Sequence, residues 1–293
     1  VTGMITVYNQ LDFMRNRDLG INKENVLLVR APIVIANIPN PLQKFETFSK
    51  EIRQAPVIDS FTLGRVPGRD YGSATYITLD GGAKYKVRRI WMDPDYLKTF
   101  QIELLAGRDL SHQISTDQTD AALLNETAVE LLNFKNPAEA VDKYIIDTDG
   151  RKKLKIIGVI KDFHQCSLKE KIEPLILRHY NHYGPSYFSF RVKPGYSRDA
   201  RTFVKEKWDE FFPGNPFEYT FLDEFYDMQY KGDMQFSDIF KVFSFLVVFI
   251  SCIGLSGMFA YSTLQRAKEI SIRKVLGAEV LGILILLLKD LMK

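Results

Sequence analysis

From Val242 to Gln265 the chain reads Val-Phe-Ser-Phe-Leu-Val-Val-Phe-Ile-Ser-Cys-Ile-Gly-Leu-Ser-Gly-Met-Phe-Ala-Tyr-Ser-Thr-Leu-Gln, with no charged side chain. At 1.5 Å per residue, about 20 such residues in a helix match the ~30 Å hydrocarbon core of a bilayer. Helices buried in soluble cores rarely run so far without a charge, so the segment is predicted to span a membrane. Ser251, Gly254, Ser256 and Gly257 make one side of it small, but their spacing is not that of a GxxxG dimerisation face. The flanks set its direction. Arg266, Lys268, Arg273 and Lys274 follow the run against the single acid Glu269, whereas Asp223, Glu224, Asp227, Asp233 and Asp238 precede it, mixed with Lys231 and Lys241. An excess of Lys and Arg marks the cytoplasmic side, which puts residues 1–241 outside the cytoplasm.

The chain's 293 residues suffice for one large or two modest domains with a buried core. A composition of 46% hydrophobic and 26% charged residues excludes wholesale disorder. A net charge of +3 is too small to imply nucleic acid as a partner, and no basic patch with interleaved aromatics occurs before residue 265. The two cysteines, Cys166 in a polar stretch and Cys252 in the apolar run, predict neither a disulfide with each other nor a metal framework. The opening residues carry no signal-peptide pattern, and a new apolar run begins at Val280. Both ends are expected to be cuts from a longer protein, with 280–293 the start of a further transmembrane helix.

Along the chain, residues 1 to about 20 are amphipathic and predict a helix, within a membrane-proximal segment 1–24, with Gly20 as its cap. Asn25–Arg30 and Ile58–Leu63 read as strands around an amphipathic helix over 42–54, a strand-helix-strand unit. Gly64–Ser73 reads as a connecting loop. Asp80-Gly-Gly82 and Asp147-Thr-Asp-Gly150 read as turns of two hairpins, 75–79 with 84–91 and 143–146 with 153–160. Asp93–Phe100 is predicted as a short Asp-capped helix, 101–106 as a strand and Asn125–Leu132 as a helix. Strands over 187–192 and 218–221 flank a helix over 198–212. The expected class is α+β, two-lobed, with a second lobe inserted over about 108–184. From Asp223 a helix is expected to run unbroken, as a stalk over 223–241, into the span at 242–265.

The residues offer little chemistry. No Gly-Lys pair occurs anywhere, so there is no P-loop. His112, His164, His179 and His182 are scattered over loop positions, whereas a metal needs three or four converging ligands. No serine sits in a Gly-x-Ser-x-Gly elbow. The pairs Asp93/Asp95 and Asp147/Asp149 read as cap and turn residues rather than an acid and a base. Tyr71, Tyr76, Tyr85, Trp91 and Tyr96 read as core packing rather than a ligand cleft. Neither an enzyme, a cofactor nor a metal site is expected.

The stretch Gln265-Arg-Ala-Lys-Glu-Ile-Ser-Ile-Arg-Lys-Val-Leu-Gly-Ala278 resembles the cytoplasmic loop of FtsX-like permeases, the family that includes MacB-type and lipoprotein-releasing permeases. Arg266, Lys268, Glu269, Ile270, Ile272, Arg273, Lys274, Leu276, Gly277 and Ala278 fit its pattern. Upstream, Asp95-Tyr-Leu-Lys-Thr-Phe, Leu104-Leu-Ala-Gly-Arg108, Asn125-Glu-Thr-Ala and Ile157-Gly-Val-Ile-Lys-Asp-Phe-His164 resemble the MacB-type periplasmic core domain, in the form common in Bacteroidetes. The resemblance implies such a core domain over 25–222, with a βαβ-rich porter-like lobe and an inserted lobe. It also implies a coupling segment over 266–279, an ABC ATPase partner in the cytoplasm, a second permease half or a homodimer, and residence in the bacterial inner membrane. The competing expectation is a membrane-tethered sensor or adaptor with a short inner tail, which the second apolar run at Val280 disfavours.

Overall fold

The computed structural model describes residues 19–33, 41–68, 72–79, 82–148, 152–166, 170–179 and 186–277. The chain divides into a strand-rich unit that ends at Tyr230 and a helical unit from Lys231 onward. The helix expected over the first 18 residues, Tyr71 and His182 lie outside the described residues.

The strand-rich unit begins with β1 (Val26–Arg30), four apolar residues buried on both faces. α1 (Pro41–Arg53) has proline at its first position, where no N–H is needed. Its Phe45, Phe48 and Ile52 form one buried stripe. Next come β2 (Ile58–Gly64), the hairpin β3 (Ser73–Thr78) and β4 (Lys84–Met92), α2 (Tyr96–Phe100) and β5 (Leu104–Gly107). β6 (Ala121–Asn125), α3 (Glu126–Leu131), α4 (Pro137–Ala140), β7 (Tyr144–Asp147), β8 (Lys152–Ile160) and β9 (Leu175–His179) follow. β10 (Tyr187–Val192), α5 (Ser197–Phe211) and β11 (Tyr219–Phe221) complete the unit's strands and lead into α6 (Leu222–Gln265).

The ladder runs β11-β1-β10-β2-β4-β3-β7-β8-β6-β9, with β5 also on β8. It closes on itself, because β9 pairs β6 antiparallel and β4 parallel. Six strands (β4, β3, β7, β8, β6, β9) therefore form a ring, joined through the single Gly64↔Met92 pairing to the four-stranded sheet β2-β10-β1-β11. The ring draws in β3 and β4 as well as strands from the 108–184 segment.

Alternation sorts the cores. Leu27 and Val29 of β1 face one cluster and Val26 and Leu28 another, as the period of two in a strand requires. The first cluster is aromatic. Phe48 packs edge-on to Phe188 at 5.4 Å, Phe61 lies 4.9 Å from Phe190, and Trp208 of α5 lies 4.9 Å from Phe212. The second cluster gathers Val66, Met92, Tyr96, Phe100, Phe163, Leu222 and Tyr226. A third takes residues from every ring strand, among them Ile77, Val87, Ile145, Leu154, Leu124 and Ile176, against Ala128, Val129 and Ala140 of α3 and α4.

β6 and β9 carried no strand signal in sequence. Both are buried on both faces, so neither shows alternation, and Ala121-Ala122 is neutral in propensity. Two carboxylates depart from the cap-and-turn reading. The N-cap of α2 is Asp95, itself without a side-chain cap bond, and not Asp93. Asp93 lies buried instead, accepting from Thr62 Oγ1 and from Leu63 N at 3.2 Å. Asp147 ends β7 fully buried between arginines, not in a turn. Of the aromatics expected in a core, Tyr96 is buried but Tyr76 is 46% exposed.

Candidate functional site

α6 is a 44-residue helix. Its Ile239–Gln265 portion is 27 residues long, lies outside any core of the structure, and is apolar enough to cross a membrane. Backbone bonding carries on past it. Arg266 N donates to Ser262 O at 3.2 Å and Ile270 N to Arg266 O at 2.9 Å. The segment for which a coupling role was expected from sequence thus enters α7 (Ala267–Val275) with almost no break. Helical spacing sets Arg266 and Ile270 on one side and Lys268, Ile272 and Leu276 on another. Ile272 is 59% and Leu276 80% exposed, an apolar strip that nothing among the described residues covers. Lys268 makes no ion pair among the described residues. Gly277, at φ +88°, ends the helix as a left-handed residue. Glu269, Arg273 and Lys274 belong to α7 by backbone, but their side chains, and Ala278, lie outside the described residues.

Charged clusters in the strand-rich unit are mostly self-satisfied. Asp147 Oδ2 accepts from Nη1 of both Arg89 and Arg178 at 2.9 Å, and its Oδ1 accepts from Thr75 Oγ1 at 2.8 Å. Both guanidiniums also lie 5.1 Å from the Trp91 ring centroid. Burial holds the Arg178 pKa below its ordinary value against the pull of Asp147. Elsewhere, a cleft of about 580 Å³ is lined by Arg108, Asp117, Asp120, Asp142, Tyr144, Lys153 and Lys155, among others. Arg108 grips Asp117 in a two-pronged contact at 2.6 and 2.7 Å, Lys155 pairs with Asp142 at 2.7 Å, and Lys153 sits 4.4 Å over the Tyr144 ring. The cleft neutralises itself.

A third cluster joins the end of α1 to the turn before α2. Arg53 reaches Asp95 at 2.8 Å and Asp93 at 3.4 Å, and His112 Nε2 lies 3.2 Å from Asp95. Desolvation pushes Asp93 up to about 6, opposed by its bond from Thr62. Burial, with Asp93 and Asp95 nearby, pushes Asp109 up to about 7. Burial also raises Asp95, but the His112 bond and the Arg53 charge outweigh it and leave its pKa lowered. Among the described residues no group of three or more His, Cys, Asp or Glu side chains is placed to hold a metal.

No family model matches the chain, and no curated protein matches it. Solved structures do. The periplasmic region of MacB from Actinobacillus actinomycetemcomitans aligns over 73% of this chain and 96% of its own, with a TM-score of 0.52 and 13% identity. A domain of a protein assigned as a permease, from Porphyromonas gingivalis, aligns over 67% of this chain and 88% of its own (TM-score 0.44, 14% identity). The extracellular domain of the noncanonic ABC-type transporter YknZ from Gram-positive bacteria aligns over 67% and 97% (TM-score 0.46, 12% identity). The likeness to the MacB periplasmic region gives this chain the fold of that region.

Proposed function

We propose that this chain is a permease unit of an ABC-type system that carries ATP-driven motion out to an extracytoplasmic domain. The observation that carries the reading is the order of parts. A MacB-type fold is followed by a 44-residue helix with an uncharged apolar stretch, and then directly by the basic segment that resembles the FtsX-type coupling loop. In this reading the strand-rich unit is periplasmic and two-lobed, with 108–184 as the inserted lobe, and the 242–265 segment spans a multi-pass inner-membrane protein. Residues 266–279 meet a partner ATPase, and a second permease half or a second copy completes the assembly.

The physics of the coupling segment supports this. Arg266, Lys268, Arg273 and Lys274 suit acids on the ATPase, while Ile270, Ile272 and Leu276 supply apolar contact area; Glu269 and Gly277 fix polarity and the chain turn. Closure of the ATPases moves this segment, and a helix held by i→i−4 bonds passes the displacement outward as rigid-body motion. Work then appears outside the membrane without a substrate crossing the bilayer through this chain. In the full-length protein co-expressed with ATPases encoded nearby, the double variant Arg273→Glu, Lys274→Glu is expected to abolish co-purification. The strand-rich unit should keep its melting behaviour. Undiminished co-purification and ATPase-dependent transport in that variant would sink the coupling role and shift weight to a tethered sensor.

A further inference from the structure

The motif Lys161-Asp-Phe-His164 has no part in the function proposed above, yet three stretches of the strand-rich unit converge on it. We infer that Asp162–Gln165 is a relay joining the two ends of this unit, at Leu19-Gly20 and at the first turns of α6, to the six-stranded ring. The relay's service to transport rests on the permease reading; its existence does not.

The first stretch is the chain's entry into the unit. His164 N donates to Leu19 O at 2.9 Å. Gly20 sits at φ +73°, where any Cβ would collide with the Asp162 carbonyl and with Phe163. Only glycine allows this approach.

The second stretch is the exit. Leu222 and Tyr226 are buried in the same core as Phe163, with Phe225 packed against it. The Tyr226 ring occupies the space where a Cβ on Gly68 (φ +87°) would stand, and Gly68 N donates to Gln165 O at 2.9 Å. A shift of Tyr226 therefore presses on a loop that is bonded to Gln165.

The third stretch is the ring. Asp162 accepts from Asn125 Nδ2 at 2.7 Å, from Thr127 Oγ1 at 2.6 Å and from Thr127 N at 3.2 Å, and its own N–H donates to Glu126 Oε2 at 2.9 Å. Gln165 Nε2 donates to Glu173 O at 2.9 Å. Asn125 donates to that same carbonyl at 3.1 Å and accepts from Leu175 N at 2.7 Å. The junction of β6 with α3 and the start of β9 thus hang on two side chains of the motif. The aromatic core under α1 and α5 shares no residue with the core that holds Phe163 and Tyr226. Phe221, just ahead of α6, packs against the aromatic core, but Tyr226 belongs to the core of Phe163, and the side-chain bonds of Asp162 and Gln165 lead from there to the ring.

Contact alone is not coupling, so the test measures propagation. Amide hydrogen exchange is followed on the full-length protein in lipid nanodiscs. Tyr226→Ala is expected to speed exchange over 121–127 and 173–177 by about tenfold, with 44–52 and 200–208 changing by less than about twofold. In an Asp162→Asn background the response of 121–127 to Tyr226→Ala should shrink to about threefold or less, the non-additivity of groups in one network. Equal acceleration everywhere, or none over 121–127, overturns the relay. If Tyr226→Ala unfolds the unit, Gln165→Ala decides the matter, since it keeps the backbone bond to Gly68. It should loosen 173–177 alone, and an unchanged 173–177 overturns the proposal. No ATPase enters this assay, so a relay found intact in a protein that binds no ATPase would sink the permease reading and leave the relay standing.

Discussion

Asp147 is the residue whose loss the strand-rich unit should tolerate least. Its side chain has no exposed surface, and its carboxylate is shared by Arg89 and Arg178, whose side chains are 15% and 8% exposed. Asp147→Ala leaves buried Arg178, among the described residues, with the Thr119 carbonyl at 3.3 Å, the Trp91 ring and the more distant charge of Asp120. Removing one partner of a buried charge network costs about 3–5 kcal/mol, chiefly because the remaining charge stays desolvated. For a unit of this size 1 kcal/mol corresponds to about 2–4 °C, so Tm should fall by about 6–20 °C. The assay is thermal unfolding of the detergent-solubilised chain, followed by tryptophan emission in a Trp208→Phe background so that Trp91 reports beside the network. Asp147→Ala combined with Arg178→Met should recover part of the loss, because the stranded charge goes with its partner. A fall of less than about 2 °C for the single variant, or a double variant as unstable as the sum of its parts, would refute the idea that Asp147 neutralises a buried cation.

Two further outcomes can be checked on the same material. Asp93 and Asp109 have folded pKa values raised to about 6 and about 7, above the ordinary carboxylate value of ~4. The folded state therefore holds more protons, and their contribution to stability is present at low pH and lost as pH rises through about 4 to 7. Tm measured from pH 5 to 8 should decline on this account, and Asp93→Asn with Asp109→Asn should flatten the decline; an unchanged slope counts against the assignment. Phe48→Ala removes the ring that packs against Phe61, Phe188, Trp208 and Phe212, at a cost of about 3–5 kcal/mol in denaturant unfolding.

What the sequence disclosed and what it hid divide along physical lines. Periodicity exposes an element that has one wet side, as with the stripe Phe45, Phe48, Ile52 or the run Ala200, Val204, Trp208; both helices were legible for that reason. β6 and β9 are wet on neither side, so alternation does not mark them, and unlike Val26–Val29 of β1 their buried runs are diluted by Ala121-Ala122 and Arg178. The ring closes only because β9 lies between β6 and β4, a long-range pairing that no local window contains. The long helix through 242–265 and its apolar stretch needed only length and composition to be read. Asp147 read as a turn residue because it precedes Thr-Asp-Gly. Its real partners come from β3, β4 and β9, and Arg178 lies 31 positions away. The same holds for the Asp162 motif. Its resemblance to a family pattern marks it in sequence, but its meaning needs Leu19, Gly68 and Asn125 brought to one place. That convergence supplies a reason for the residue types. An Asp at 162 accepts from Asn125 and Thr127 where β6 meets α3, a Gln at 165 donates to the Glu173 carbonyl just ahead of β9, and glycines at 20 and 68 permit the approach on either side. A polypeptide that must carry displacement across a sheet without breaking it needs bonds from side chains to backbone at its corners, and these are the bonds it has.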